Sequence, residues 1–308
     1  MYIATNDTEL ASERVISVLP SAIRRYLSNI SLAEASELRF NIGKPFVMNF
    51  SDGCYYLNAK GMLTRNSSGC IIINAQMLTE LLERLTKSSV YSVKDEIKNG
   101  YITIEGGHRA GLAGTAVTEN GEVDFIKNIS AVNIRLANEI KDAAEGVIDR
   151  VMCGGEIKNT LIISPPGAGK TTLLRDLARR ISYGGHMVSI ADERCEIAAM
   201  SRGHSSFDLG PNTSVLDNCR KDKAMLMLLR SMSPEVIVTD EIGSEQDVFA
   251  IERIINSGVA VAASVHARDE RQLKNRASLK NLLPFFDITI VLSKRMGPGT
   301  IERITENA

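Results

Sequence analysis

Residues 161–172 read LIISPPGAGKTT. Four residues of strand character lead into a turn of two prolines and two glycines, and Lys-Thr-Thr then opens a helical pattern. A tight turn from a strand into a helix N-terminus gathers backbone amides where an anion can meet them. The usual form of such a loop, G-x-x-x-x-G-K-[ST], begins with glycine, and Ser164 stands in that place. Pro165 and Pro166 have no amide hydrogen and stiffen the approach. The expected donors are therefore the amides of Gly167, Ala168, Gly169, Lys170, Thr171 and Thr172. Lys170 is expected to meet the β- and γ-phosphates of a nucleotide. The Thr171 hydroxyl is expected to ligate Mg²⁺, and Thr172 to add a second hydroxyl near the α-phosphate. A left-handed backbone at the first position would cost serine about 1–2 kcal/mol. The expectation is a tolerated exchange with a modest effect on affinity.

Working outward, PEVIVTDEIG places Asp240 and Glu241 at the C-terminal end of an apolar strand, where open α/β sheets build their ligand sites. Asp240 is expected to hold the Mg²⁺ shell through water, and Glu241 to polarise the attacking water. MVSIADER puts Asp192, Glu193 and Arg194 after another strand, and VAVAASVHA ends on His266, a candidate sensor of the γ-phosphate. No N-K-x-D for reading guanine follows a suitable strand, so ATP is the expected nucleotide.

Short apolar strands alternate with helices through this half: LIIS, KTTLLRDLARRIS, MVSIAD, DKAMLMLLRSM, VIVTD, QDVFAIERIINSG and VAVAASV. That alternation predicts a parallel sheet covered on both faces, closed by a strand pair at DITIVLS and GTIERIT. The first half reads differently. ELASERVISVLPSAIRRYLSNI predicts two helices divided by Pro20, followed by strands at ELRFNI, PFVMNF and CYYL. QMLTELLERLTK and VYSVKDEIKNG predict helices, the second ending at Gly100. YITIEGG, HRAGLAGTAV and FIKNISAVNIRL predict an antiparallel sheet. The expected organisation is an α+β domain over residues 1–138, a linker at 139–159 with a short helix and a hinge or connection at Gly154-Gly155, and an α/β, RecA-like P-loop NTPase domain over 160–308.

At 308 residues the chain suits two domains, and its 44% hydrophobic and 24% charged content is that of a globular protein. A net charge of −1 gives no general attraction to nucleic acid or anionic lipid, so neither is an expected partner. Five scattered cysteines without a C-x-x-C pair fit a reducing cytoplasm. The start MYIATNDTEL is not a signal peptide, and no apolar run approaches the ~20 residues of a membrane helix.

The order of P-loop, acidic box, Glu241 and His266 resembles the secretion ATPases of type II and type IV systems, with E241-I242-G243 and S264-V265-H266-A267 in the matching places. Over nearly the whole chain the sequence resembles the sporulation stage III AA family. The matching strings are ASELRFNIGKPFVM, NGYITIEGGHRAGLAGTAV, NISAVNIRLANEI and SVLDNCRKDKAMLMLLRSMSPEVIVTDEIG. Ser164, Asn41, Arg220 and Asn138 depart from that family's pattern. The resemblance implies a mother-cell ATPase of endospore formation. It implies a homo-oligomeric ring, most simply a hexamer, peripheral at the cytoplasmic face of the mother-cell membrane and partnered by channel proteins without inserting into the bilayer. It also implies that Arg109 and Arg135, in the matching GGHR and NIR strings, reach the nucleotide from the N-terminal domain. Two other readings stay open: a RecA-like nucleic-acid motor, and an assembly platform that binds ATP with little turnover.

Overall fold

The computed structural model describes residues 7–307 apart from 28–29, 33–34, 51, 87–93, 120, 138, 201–202 and 280. The chain forms two compact units, Met1–Glu139 with Ser201–Ser206, and Ile140–Met200 with Phe207–Ala308.

In the first unit, helices α1 (Asp7–Val18) and α2 (Ser21–Leu27) flank Pro20. Strands β1 (Ala35–Asn41), β2 (Val47–Phe50), β3 (Gly53–Leu57) and β4 (Leu63–Thr64) follow. Helices α3 (Ala75–Leu85) and α4 (Lys94–Lys98) then precede β5 (Tyr101–Ile104), β6 (His108–Glu119) and β7 (Glu122–Arg135). The strands make one sheet in the order β4-β3-β2-β1-β7-β6-β5. α3 starts where Asn74 accepts from the Met77 amide, and it buries Leu78, Leu81 and Leu85. Its apolar stripe meets the face of the sheet that carries Leu38, Phe40, Ala110 and Ile134. Strand alternation sends Glu37, Arg39, Arg109 and Arg135 to the other face. The helix expected over VYSVKDEIKNG is seen from Lys94; Val90–Val93 lie outside the described residues.

The second unit opens with α5 (Ile148–Val151) and a hairpin of β8 (Met152–Cys153) and β9 (Glu156–Ile157). Gly154-Gly155, expected as a hinge or connection, is the turn of that hairpin, with φ of 64° and 84° that suit glycine. Then come β10 (Thr160–Ser164), α6 (Lys170–Tyr183), β11 (Val188–Asp192), β12 (Thr213–Asp217) and α7 (Lys221–Ser231). The unit closes with β13 (Val236–Thr239), α8 (Glu245–Ile255), β14 (Ala260–His266), α9 (Glu270–Lys274), β15 (Ile288–Ser293) and β16 (Thr300–Glu306). The sheet order is β12-β11-β13-β14-β10-β15-β16, parallel except where β16 returns against β15. Every residue of β10, β11 and β13 is buried, as two covered faces require. Because the strands run parallel, Ser164, Asp192, Thr239, His266 and Ser293 all end at one edge of the sheet.

Candidate nucleotide site

Ser164 closes β10 in extended conformation, so the strain of a left-handed serine does not arise. Its side chain is fully buried, with Oγ donating to the Pro165 carbonyl at 3.0 Å. Its own carbonyl accepts from the Ala267 amide at 3.2 Å and faces His266 Nδ1 at 3.4 Å. The first position thus joins the loop to the end of β14 through the main chain. Gly167 and Gly169 take φ of 67° and 92°, and Gly169 serves as N-cap of α6. The Ala168 amide turns inward to Pro165 O at 3.4 Å. Lys170, Thr171 and Thr172 form the first turn of α6, where amides have no intrahelical acceptor. An anion at this end is favoured by those amides and by the helix dipole.

Glu241 is the second centre. It follows β13 with φ 48°, a left-handed backbone that costs a non-glycine residue roughly 1–2 kcal/mol. The surroundings hold it there. Lys221 Nζ, buried at the start of α7, donates to the carbonyls of both Asp240 and Glu241 at 2.9 Å. The Glu241 amide donates to Ser264 Oγ at 3.1 Å, and the Ile242 amide to Ser264 O at 2.8 Å. Directly after, Ser244 and Asp247 form a capping box that starts α8. The Glu241 carboxylate gathers two cations and an imidazole: Lys170 Nζ 3.9 Å away, Arg194 Nη1 at 2.7 Å, and His266 Nε2 against Oε1. Burial works to raise its pKa, but Lys170, Arg194, His266 and Lys221 together hold it below the usual glutamate value.

Asp240 sits differently. It is 1% exposed, and its Oδ2 makes no hydrogen bond to any of the described residues. Burial pushes its pKa up to about 7, against the pull of Lys221 and with the help of Asp192, Glu196 and Glu241. A buried carboxylate oxygen without a described hydrogen-bond partner suits a cation or its water shell, and oxygen is the donor that Mg²⁺ takes. Asp192, in the acidic box, points inward. It accepts from the amides of Glu196, Ile197 and Ala198 at 2.8–3.1 Å and so shapes the loop after β11.

Lys170, Glu241 and His266 therefore meet in one cluster of the second unit, with Asp240 adjoining in sequence. Arg109 and Arg135 belong to the first unit, as directly opposed residues of β6 and β7. The Arg109 guanidinium lies over the Tyr101 ring at 3.9 Å, and Arg135 Nε is 3.8 Å from Glu37 Oε1. Sequence reasoning did not assign Lys221 or Ser264. A lysine opening a helix and a serine inside an apolar strand carry no spacing signal for what they hold.

Solved structures resemble this fold, two of them as follows. The ATPase DotB of Legionella pneumophila aligns with a TM-score of 0.57 over 89% of this chain and 76% of that one, at 14% identity. The pilus retraction motor PilT with bound ADP aligns at 0.55 over 84% and 74%, at 16% identity. The chain accordingly has the α/β, RecA-like fold that these two structures show. Its sequence matches the family described as Sporulation stage III, protein AA, across residues 9–308. Stage III sporulation protein AA of Bacillus subtilis (strain 168) is 38% identical over 300 residues, 94% of each chain. The chain belongs to the sporulation stage III protein AA family.

Proposed function

We propose that this protein is a Mg²⁺-dependent ATPase of endospore formation that energises or assembles the channel complex between mother cell and forespore. It works as a homo-oligomeric ring, most simply a hexamer, held by channel proteins at the cytoplasmic face of the mother-cell membrane. Family membership and fold support that setting, and no helix among the described residues is long and apolar enough to cross a membrane.

One observation carries the hydrolytic reading: a glutamate held in a left-handed backbone, its carboxylate beside the lysine of the phosphate loop. Strain of this kind persists where the surroundings over-determine it, and it gathers at functional sites. The amides of Gly167 and of Gly169 to Thr172 bind the phosphate chain, and Lys170 neutralises its charge. Thr171 and Asp240 hold Mg²⁺, which supplies charge neutralisation at the transferred phosphoryl group. Phosphate competes with Glu241 for Lys170. Once that lysine turns away, the ionised Oε1 is free to accept a hydrogen bond from water and orient it. His266, bonded to the same oxygen, reports whether the γ-phosphate is present.

The test is ATP turnover by the purified full chain with Mg²⁺, with EDTA, and with single-stranded DNA. Turnover that requires Mg²⁺ and ignores DNA supports the proposal. Nucleotide binding without turnover in the assembled ring leaves the platform reading, and DNA-stimulated hydrolysis leaves the motor. Lys221→Met should lower kcat about tenfold or more while ATP affinity changes far less. It removes two charge-assisted bonds that fix the Glu241 peptide and no contact of the phosphate loop. Turnover assays beside nucleotide titrations separate the two effects.

A further inference from the structure

The tip of the β15–β16 hairpin lies on the phosphate loop. β15 pairs with β10 in parallel, Ile163 against Val291, so the residues after β15 emerge at the same sheet edge as the loop. The Gly299 amide donates to Ala168 O at 2.9 Å. A β-carbon on Gly169 would lie 3.0 Å from Gly299 N and 3.3 Å from its Cα, so glycine at 169 is what lets the two turns touch. A β-carbon on Gly167 would lie 2.8 Å from Lys294 Nζ. The Lys294 ammonium therefore rests about a methyl group's distance from the backbone of the loop.

The neighbouring side chains of the tip are already occupied. Arg295 Nε bonds Glu302 at 3.0 Å, and Ser293 Oγ bonds the same carboxylate at 2.6 Å. Lys294 has no ion pair and no side-chain hydrogen bond among the described residues. The loop's own lysine, Lys170, faces Glu241 instead. A single free ammonium is thus held over a turn whose amides suit an anion, by a backbone contact between hairpin and loop.

We propose that Lys294 is a second phosphate-binding lysine of this site, contacting the β- or γ-phosphate of a nucleoside di- or triphosphate held by the loop. This rests on the nucleotide reading above. The hairpin tip is then the outer wall of the phosphate seat, and its lysine makes affinity depend on the number of phosphates. A monophosphate, without the outer groups, gains nothing from it.

Titration of the purified full chain with Mg-ATP, Mg-ADP and AMP tests this, comparing wild type with Lys294→Ala, Lys294→Arg, Lys170→Ala and Met296→Ala. Loss of one charge-assisted contact should weaken ATP and ADP binding by Lys294→Ala about tenfold and leave AMP binding and Tm unchanged. Lys294→Arg should keep most of the affinity. Met296→Ala, at a tip residue 80% exposed, should match wild type. Equal ATP affinity for wild type and Lys294→Ala, with Lys170→Ala impaired, overturns the Lys294 assignment alone. Equal loss of ATP and AMP binding, or a fall in Tm, overturns it in favour of a purely structural lysine. Failure of the wild-type chain to bind any nucleotide overturns the nucleotide reading and this inference together.

Discussion

Glu241→Gln is expected to bind Mg-ATP at least as tightly as wild type while turnover falls by about 100- to 10,000-fold. The sign of the affinity change follows from the contacts of Glu241. Glu241 holds Lys170 at 3.9 Å, Arg194 at 2.7 Å and His266, so an incoming phosphate chain must draw Lys170 from a carboxylate. Glutamine keeps the size of the side chain and removes the charge, which leaves Lys170 free for phosphate. The left-handed backbone survives, because Lys221 and Ser264 hold it through main-chain atoms. What is lost is the ionised oxygen that would accept from water, and with it the rate. Equilibrium binding of a fluorescent ATP analogue and a phosphate-release assay check the two halves separately. Near-normal turnover by this variant would remove Glu241 from the mechanism.

Asp240→Asn is expected to move stability and activity in opposite directions. Wild-type Asp240 is buried with one oxygen unbonded among the described residues, and its pKa is pushed up to about 7. A folded pKa above the unfolded carboxylate value means that the native state holds a proton the unfolded chain gives up. Stability therefore falls as pH rises from about 4 to about 7 and stays lower above that. Carrying the ionised form costs up to about 4 kcal/mol, and asparagine carries no such cost. Its amide leaves an unmet hydrogen bond worth about 1–3 kcal/mol. The net expectation without ligand is a variant more stable than wild type by about 1–3 kcal/mol above pH 7, and less stable than it by about 1–3 kcal/mol near pH 4, where the ionisation cost is gone and the unmet hydrogen bond remains. Adding Mg-ATP should reverse the order, because wild type gains ligand stabilisation that the variant lacks. Thermal melts between pH 4 and 8.5, with and without Mg-ATP, check both parts. A variant less stable than wild type at pH 8 without ligand would contradict the account.

The fold was legible where burial leaves a plain mark on composition. β10, β11 and β13 are covered on both faces and therefore read as unbroken apolar runs, and α3 shows its stripe at Leu78, Leu81 and Leu85. β12 left no such mark. It is the edge strand, half-buried throughout, and TSVLD has only two apolar residues in its five. The acids at the strand ends could be placed from topology alone, since parallel strands bring their C-termini to one edge. What could not be placed is the geometry that depends on reach. Nothing in CRKDKAM announces that its first lysine bonds two carbonyls across the sheet edge, and no glycine marks the left-handed residue 241. Lys294 was within grasp, because a residue following a strand beside β10 must emerge near the loop. That step needs the pairing of β15 with β10, which sequence periodicity does not supply.

The Ser164 carbonyl, shared between the Ala267 amide and His266, has an evolutionary reading. Every amino acid brings the same carbonyl to that spot, so the work done there places almost no demand on side-chain identity beyond smallness. An exchange of glycine for serine there is silent to the architecture but audible to any search that scores the first letter of a motif. Lineages that have taken such a step will be under-counted by pattern and recovered by shape.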